Sequence, residues 1–150
     1  MLKIRTYEEK DWDAIRRAHD AARQQELALA GLPEAFLPLS VAAEREDLFG
    51  YDGLFVAELD GAVTGFAACT PEELAWLYVA PEYQHRGIAT ALIRHCLERF
   101  PHIEAIEVLR GNEPARSLYE KMGFTVVETL SGVMPGNERF PVEVYSMRKK

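Results

Sequence analysis

Leu77-Tyr78-Val79-Ala80-Pro81-Glu82-Tyr83-Gln84-His85-Arg86-Gly87-Ile88-Ala89-Thr90-Ala91-Leu92 changes character three times along its length. An apolar run reads as the end of a strand and stops at Ala80-Pro81, where proline removes a ladder donor. A polar turn with one glycine follows. From there Ile88, Leu92, Cys96 and Phe100 recur at helical spacing, with Ile93 and Leu97 beside them, and Pro101 ends the pattern. The first turn of such a helix carries N–H groups without intrahelical partners, aimed outward at the positive end of the helix dipole, which suits an anion. Gly87 lets the backbone approach a phosphate, Ala89 adds little bulk, and His85 and Arg86 offer side-chain donors. An ordinary strand-to-helix turn would also carry a glycine, so the loop alone does not decide. The absence of Gly-x-x-x-x-Gly-Lys-Ser/Thr, and of Gly-x-Gly-x-x-Gly after the first strand, excludes the ATPase and dinucleotide fingerprints.

Working outward, Leu2, Ile4 and Thr6 alternate with Lys3 and Arg5 as in a first strand. Asp11 opens a helix on which Trp12, Ile15, Ala18, Ala22 and Leu27 share a face, closed near Gly31 and Pro33. Ser40 suggests the cap of a second short helix ending near Phe49 and Gly50. Strands are predicted over Leu54 to Leu59 and Val63 to Cys69, joined by the hairpin signal Asp60-Gly61, and over Leu74 to Val79. After the helix that Gly87 begins come a strand at Ile103 to Leu109 and a short helix from Ala115 to Met122, opened by Pro114 and capped by Gly123. Strands near Phe124 to Leu130 and Val142 to Met147 close the chain. The stretch Ser131 to Pro141 between them reads as a loop that either lines a cleft, contacts a second subunit or simply connects a hairpin. The order β-α-α-β-β-β-α-β-α-β-β describes a single mixed α/β domain over residues 1–150.

The composition, 48% hydrophobic and 27% charged, rules out a disordered chain. A formal net charge of −7 argues against broad electrostatic binding to nucleic acid or to an anionic membrane. An acidic protein that binds a polyphosphate must do so locally, through backbone N–H groups and a few cations. The N-terminus lacks the apolar core and cleavage site of a signal peptide, and no apolar run approaches the roughly 20 residues that span a bilayer, so a cytoplasmic location is expected. Cys69 and Cys96 are too few and too far apart in sequence for a zinc site or a redox pair, and no metal is expected. His19, His95 and His102 show no partner pattern and read as surface or packing residues. Glu44, Glu46 and Asp47 read as a solvated face that would favour a cationic ligand only if it bordered a cleft.

The quoted stretch closely resembles the central motif of the GNAT superfamily of N-acetyltransferases, in which a strand, a proline turn and Gln/Arg-x-x-Gly-x-Gly/Ala lead into a helix. Asn112-Glu113-Pro114-Ala115-Arg116-Ser117-Leu118-Tyr119-Glu120-Lys121-Met122-Gly123-Phe124 resembles the superfamily's second motif, Asn-x-x-Ala-x-x-Leu-Tyr-x-x-x-Gly-Phe. The one departure is Ala89, where many relatives have glycine. The resemblance implies a central, mostly antiparallel sheet with splayed middle strands flanked by helices. It implies acetyl-CoA as co-substrate, its pantetheine held by the main chain of Leu77 and Val79 and its pyrophosphate by Gln84, His85, Arg86, Gly87, Ile88, Ala89 and Thr90, with Asn112 also on the cofactor side.

The reaction so implied is attack of a primary amine, of a small molecule or of a peptide or protein, directly on the thioester. The N–H of Val79 would face the thioester carbonyl. A lysine-like amine is less than ~0.1% neutral at pH 7, so a proton acceptor is needed. Tyr119 matches the family's usual general acid for the CoA sulfur. Glu107, five residues before Asn112, resembles the base position of some relatives, and Glu73 is the next candidate. A non-catalytic acyl-CoA-binding module would keep the same cofactor motif, and Tyr119 is what favours an enzyme. The acceptor is not legible, because no motif covers Leu27 to Phe49 or the last hairpin. The oligomeric state is likewise open, a homodimer being the form frequent among relatives.

Overall fold

The computed structural model describes all residues from Met1 to Lys150. Seven strands form one sheet in the order β1-β2-β3-β4-β5-β7-β6, where β1 is Leu2–Thr6, β2 Gly53–Leu59, β3 Ala62–Cys69, β4 Glu73–Val79, β5 Ala105–Leu109, β6 Phe124–Met134 and β7 Asn137–Lys149. The helices are α1 Trp12–Leu29, α2 Leu39–Arg45, α3 Ile88–Arg99 and α4 Glu113–Lys121. The strand β3 explains the layering. Phe66 and Ala68 pack with Ile15 of α1 and Leu39 of α2, while Ala67 and Cys69 pack with Leu92 and Cys96 of α3. A strand buried on both faces reads as a continuous apolar run rather than an alternating one, as Phe66 to Cys69 does.

Asp60 and Gly61 both adopt positive φ, at 52° and 87°, as the hairpin signal requires. The proline at Pro114 lies in the first turn of α4, and Gly123 follows that helix with φ 100°. Two expectations are corrected. The second short helix starts at Leu39, after Pro38 as its cap residue, so Ser40 lies inside it and caps nothing. A 3-10 turn at Leu48–Gly50, not α2 itself, reaches Gly50. The stretch Ser131 to Pro141 is mostly strand: β6 and β7 pair up to Met134 and Asn137, leaving Pro135-Gly136 as the turn. Pro141 is tolerated because β5 pairs with β7 only from Val144 onward, so one side of β7 needs no donor there.

Every strand pair is antiparallel except β4 with β5, which are parallel and matched only at Glu73 with Ala105 and Leu74 with Ile106. Just beyond, β4 carries a bulge. Cys69 pairs with Leu74 and Ala68 with Trp76, so Ala75 has no partner across β3. The extra residue turns the strand, and from Trp76 to Val79 it has no ladder on the β5 side. A wedge opens in the middle of the sheet.

Gly65 of β3 keeps the other flank of β4 close. A Cβ there would lie 2.5 Å from the carbonyl oxygen of Tyr78 and 3.0 Å from the Cα of Val79. Gly65→Ala should therefore lower stability by about 1–3 kcal/mol in a denaturant titration, the usual cost of forcing extra volume into a packed interior.

Candidate active site

The N–H of Ala80 donates to Thr64 of β3 at 2.8 Å. Because successive peptide groups of a strand point to opposite sides, the N–H and C=O groups of Val79 and Leu77 point the other way, into the wedge. The Val79 carbonyl accepts from the side chain of Gln84 at 3.0 Å, and the same Gln84 nitrogen donates to Gln25 of α1 at 2.9 Å. Gln84 thus ties the loop to the open end of β4 and to α1.

The main chain of the loop turns sharply. His85 and Gly87 have φ of 65° and 80°. Gly87 stands as the cap residue of α3, and its carbonyl receives the first helical bond, from Ala91. The N–H groups of Ile88, Ala89 and Thr90 are left without a helical acceptor and face outward. No atom lies within 4 Å of where a Gly87 Cβ would stand, so the space before these donors is open. They border a cavity of about 920 Å³ between the N-terminal ends of α3 and α4, roofed by the C-terminal half of α1. Leu77, Val79, Gln84, His85, Gly87, Ile88, Ala89, Thr90, Asn112 and Tyr119 all line it. Arg86 does not; its guanidinium lies over the Tyr83 ring, 5.5 Å from the centroid. Lys121 and Glu26, which no motif marked, line the cavity as well.

Asn112 is buried and caps α4, its side-chain oxygen accepting from the N–H of Ala115 at 3.4 Å and its amide donating to Glu26 at 3.1 Å. Tyr119, on the following turns of that helix, is 8% exposed. Burial, and secondly the charge of Glu26, push its phenol well above the ordinary value of 10.

A second cavity of about 460 Å³ lies under α1, α2 and the β6–β7 hairpin. Glu73 and Glu107 line it together, and Tyr78 is the one residue lining both cavities. Glu107 is exposed on β5, opposite Ser146 of β7, whereas Glu73 is half-buried. Burial first, then the charge of Glu107, raises the Glu73 carboxyl. Tyr51, Trp76, Tyr78 and His19 give the cavity an aromatic wall. His19 is buried with Nδ1 2.9 Å from Asp20, and burial lowers its pKa.

Glu46 was expected on a solvated face, but only its neighbours Glu44 and Asp47 are exposed; Glu46 turns into this second cavity. The hairpin turn covers it, clamped by Arg45, which donates to the Gly136 carbonyl at 2.8 Å. Elsewhere, Cys69 and Cys96, distant in sequence, are both free and buried in the same core cluster. No group of three or more His, Cys, Asp or Glu side chains is arranged to hold a metal ion, and no helix is long and apolar enough to cross a membrane.

This constellation has known counterparts. Residues 50–126 match the family model described as the acetyltransferase (GNAT) domain. The match covers the hairpin, the wedge, the α3 loop and α4, and the chain belongs to the GNAT family. The peptidyl-lysine N-acetyltransferase YiaC of Escherichia coli K12 is 37% identical over 75 residues, which are 49% of this chain and 51% of that one. The chain thus spans about half the length of that curated relative. Among solved structures, a GCN5-related N-acetyltransferase from Rhodopseudomonas palustris superposes with a TM-score of 0.79 at 21% identity, over 100% of this chain and 96% of the other. A PaiA N-acetyltransferase from Thermoplasma acidophilum, in complex with coenzyme A, gives 0.67 at 21% identity, over 100% and 99%. At such identities the likeness speaks for the fold.

The Glu46 carboxyl gives a test of the second cavity. Burial raises it from the ordinary 4.5 to about 7, against the pull of Arg23 and with a smaller push from Glu138. Between those two values the folded protein holds a proton that the unfolded chain has lost, so stability falls as pH rises through that window. Glu46→Gln should flatten this slope and raise the melting temperature at pH 8, measured by thermal unfolding across pH 4 to 8.

Proposed function

We propose that the protein transfers the acetyl group of acetyl-CoA to a primary amine, of a small molecule or of a peptide or protein, by direct attack on the thioester. The observation that carries this reading is the wedge between β4 and β5, where the Leu77 and Val79 main-chain groups have no strand partner on the β5 side and run up to the free N–H groups at the start of α3. A pantetheine arm is an amide chain and can pair with that strand as a ladder neighbour would. The pyrophosphate then meets Ile88, Ala89 and Thr90, with His85 and Lys121 as nearby side chains.

In this reading the Val79 N–H stabilises charge developing on the thioester oxygen. The acceptor enters through the second cavity, where Glu107 and Glu73 take the amine proton. The Glu73 carboxyl, raised by burial, moves toward what a proton acceptor at neutral pH needs. The departing thiolate takes a proton from Tyr119, whose burial keeps the phenol protonated well into the alkaline range. A cytoplasmic location, where acetyl-CoA is available, goes with this reading. The carboxylates and aromatic faces of the second cavity favour a cationic acceptor.

The reading is tested by following thiol release from acetyl-CoA with a panel of amines, including lysine peptides and polyamines. Binding of acetyl-CoA without thiol release on any acceptor would replace the enzyme with an acyl-CoA-binding module. Tyr119→Phe should lower kcat by about 100-fold or more while leaving CoA affinity nearly unchanged by calorimetry. Gly87→Val should do the reverse, weakening CoA binding, because a β-branched residue resists the φ of 80° found there.

A further inference from the structure

Glu26 projects from α1 to the junction of the two cavities, and both of its oxygens are engaged. Oε1 accepts from the Tyr78 hydroxyl at 3.0 Å and from the Arg23 guanidinium, and Oε2 accepts from the Asn112 amide at 3.1 Å. Three elements therefore meet on one carboxylate: α1, the open part of β4 and the N-terminus of α4. Its charge also acts on Tyr119.

An ionised carboxylate only accepts hydrogen bonds, so it dictates how its partners point. The Tyr78 O–H is directed at Glu26. The lone pairs are then what the Tyr78 oxygen presents to the second cavity, where an amine would arrive. Such an oxygen accepts an N–H from the amine. It does not donate to the nitrogen's own lone pair, which has to stay free to attack a carbonyl carbon. In the same way the Asn112 amide nitrogen faces Glu26, which turns its oxygen to the N–H of Ala115 and fixes the first turn of the helix that carries Tyr119.

Building on the acetyl-transfer reading above, we propose that Glu26 is a positioning residue for the transfer. It holds the Tyr78 hydroxyl so that an acceptor amine is met by an oxygen lone pair, and it fixes Asn112, and through it α4, on the other side of the wedge. A bridging glutamate with a purely structural role would tie the same elements together but would not set the direction of a hydrogen bond toward the amine.

The test compares Glu26→Gln, Tyr78→Phe and the double variant in the full-length protein, with the acceptor that gives the highest thiol release. Glutamine keeps the shape but replaces one acceptor oxygen by a donor, freeing Tyr78 or Asn112 to reorient. Glu26→Gln is expected to lower kcat about 10- to 100-fold, the scale of a small misplacement at a reacting centre. The Kd for acetyl-CoA should stay within about twofold. Tyr78→Phe should show a similar loss, and the double variant should lose little more than either alone, because the two residues act as one unit. A Glu26→Gln enzyme with wild-type kcat, or losses that multiply in the double variant, would each overturn the proposal. A lowered melting temperature alone, with those kinetic features unchanged, would do the same and assign Glu26 to stability. Absence of thiol release from the wild type with any amine would instead sink the acetyl-transfer reading itself, and the two failures are thereby told apart.

Discussion

The structure turns on an unpaired stretch of main chain. One extra residue, Ala75, bulges β4 just after its two parallel pairs with β5, and from there to Val79 the strand has hydrogen-bonding groups but no strand to bond on that side. Buried peptide groups left in this state cost free energy comparable to a lost hydrogen bond. The protein answers in part by itself, lending the Gln84 side chain to the Val79 carbonyl. The remaining groups stay open toward a cavity, which is where an extended amide ligand would complete the sheet. The β5–β7 pairing on the far side runs without a register shift by contrast, and it holds β5 still while β4 leans away.

Charge is arranged around this opening in two zones. In the acetyl-transfer reading, the oriented N–H groups at the start of α3 would do the work that a basic patch does elsewhere, which would reconcile a polyphosphate site with a net charge of −7. On the other side, Glu46, Glu73 and Glu107 gather in a cavity whose one guanidinium, Arg23, is already engaged by Glu26. The partial burial of Glu46 and Glu73 is tolerated because both respond by holding their protons more tightly.

Much of the fold was legible because its signals are local. Asp60-Gly61 could only turn one way, Pro114 and Gly123 mark the two ends of α4, and the spacing from Ile88 to Cys96 defines the buried face of α3. The turn at Gly87 into α3 was legible for the same reason. What escaped was long-range. Glu26 meets Tyr78 and Asn112, residues 52 and 86 positions away, and nothing in the α1 periodicity distinguishes it from a solvated glutamate. Glu46 was misread because its cover comes from the β6–β7 hairpin, whose strands were themselves hidden by Gly132, Pro135, Gly136 and Pro141. Those residues normally break strands, but here they sit at the turn or along edges where no ladder donor is required.

Tyr78 alone lines both cavities, one framed by the start of α3 and α4 and the other by α2 and the last hairpin. For the proposed transfer this separation means that neither reactant has to pass through the other's doorway. Spent CoA can remain in the wedge while a fresh amine settles across from it, forming a pair with nothing to exchange. Turnover in a cell would then follow the proportion of the CoA pool that is acetylated more closely than the amount of acetyl-CoA itself, and the geometry of one strand would make the enzyme responsive to carbon supply.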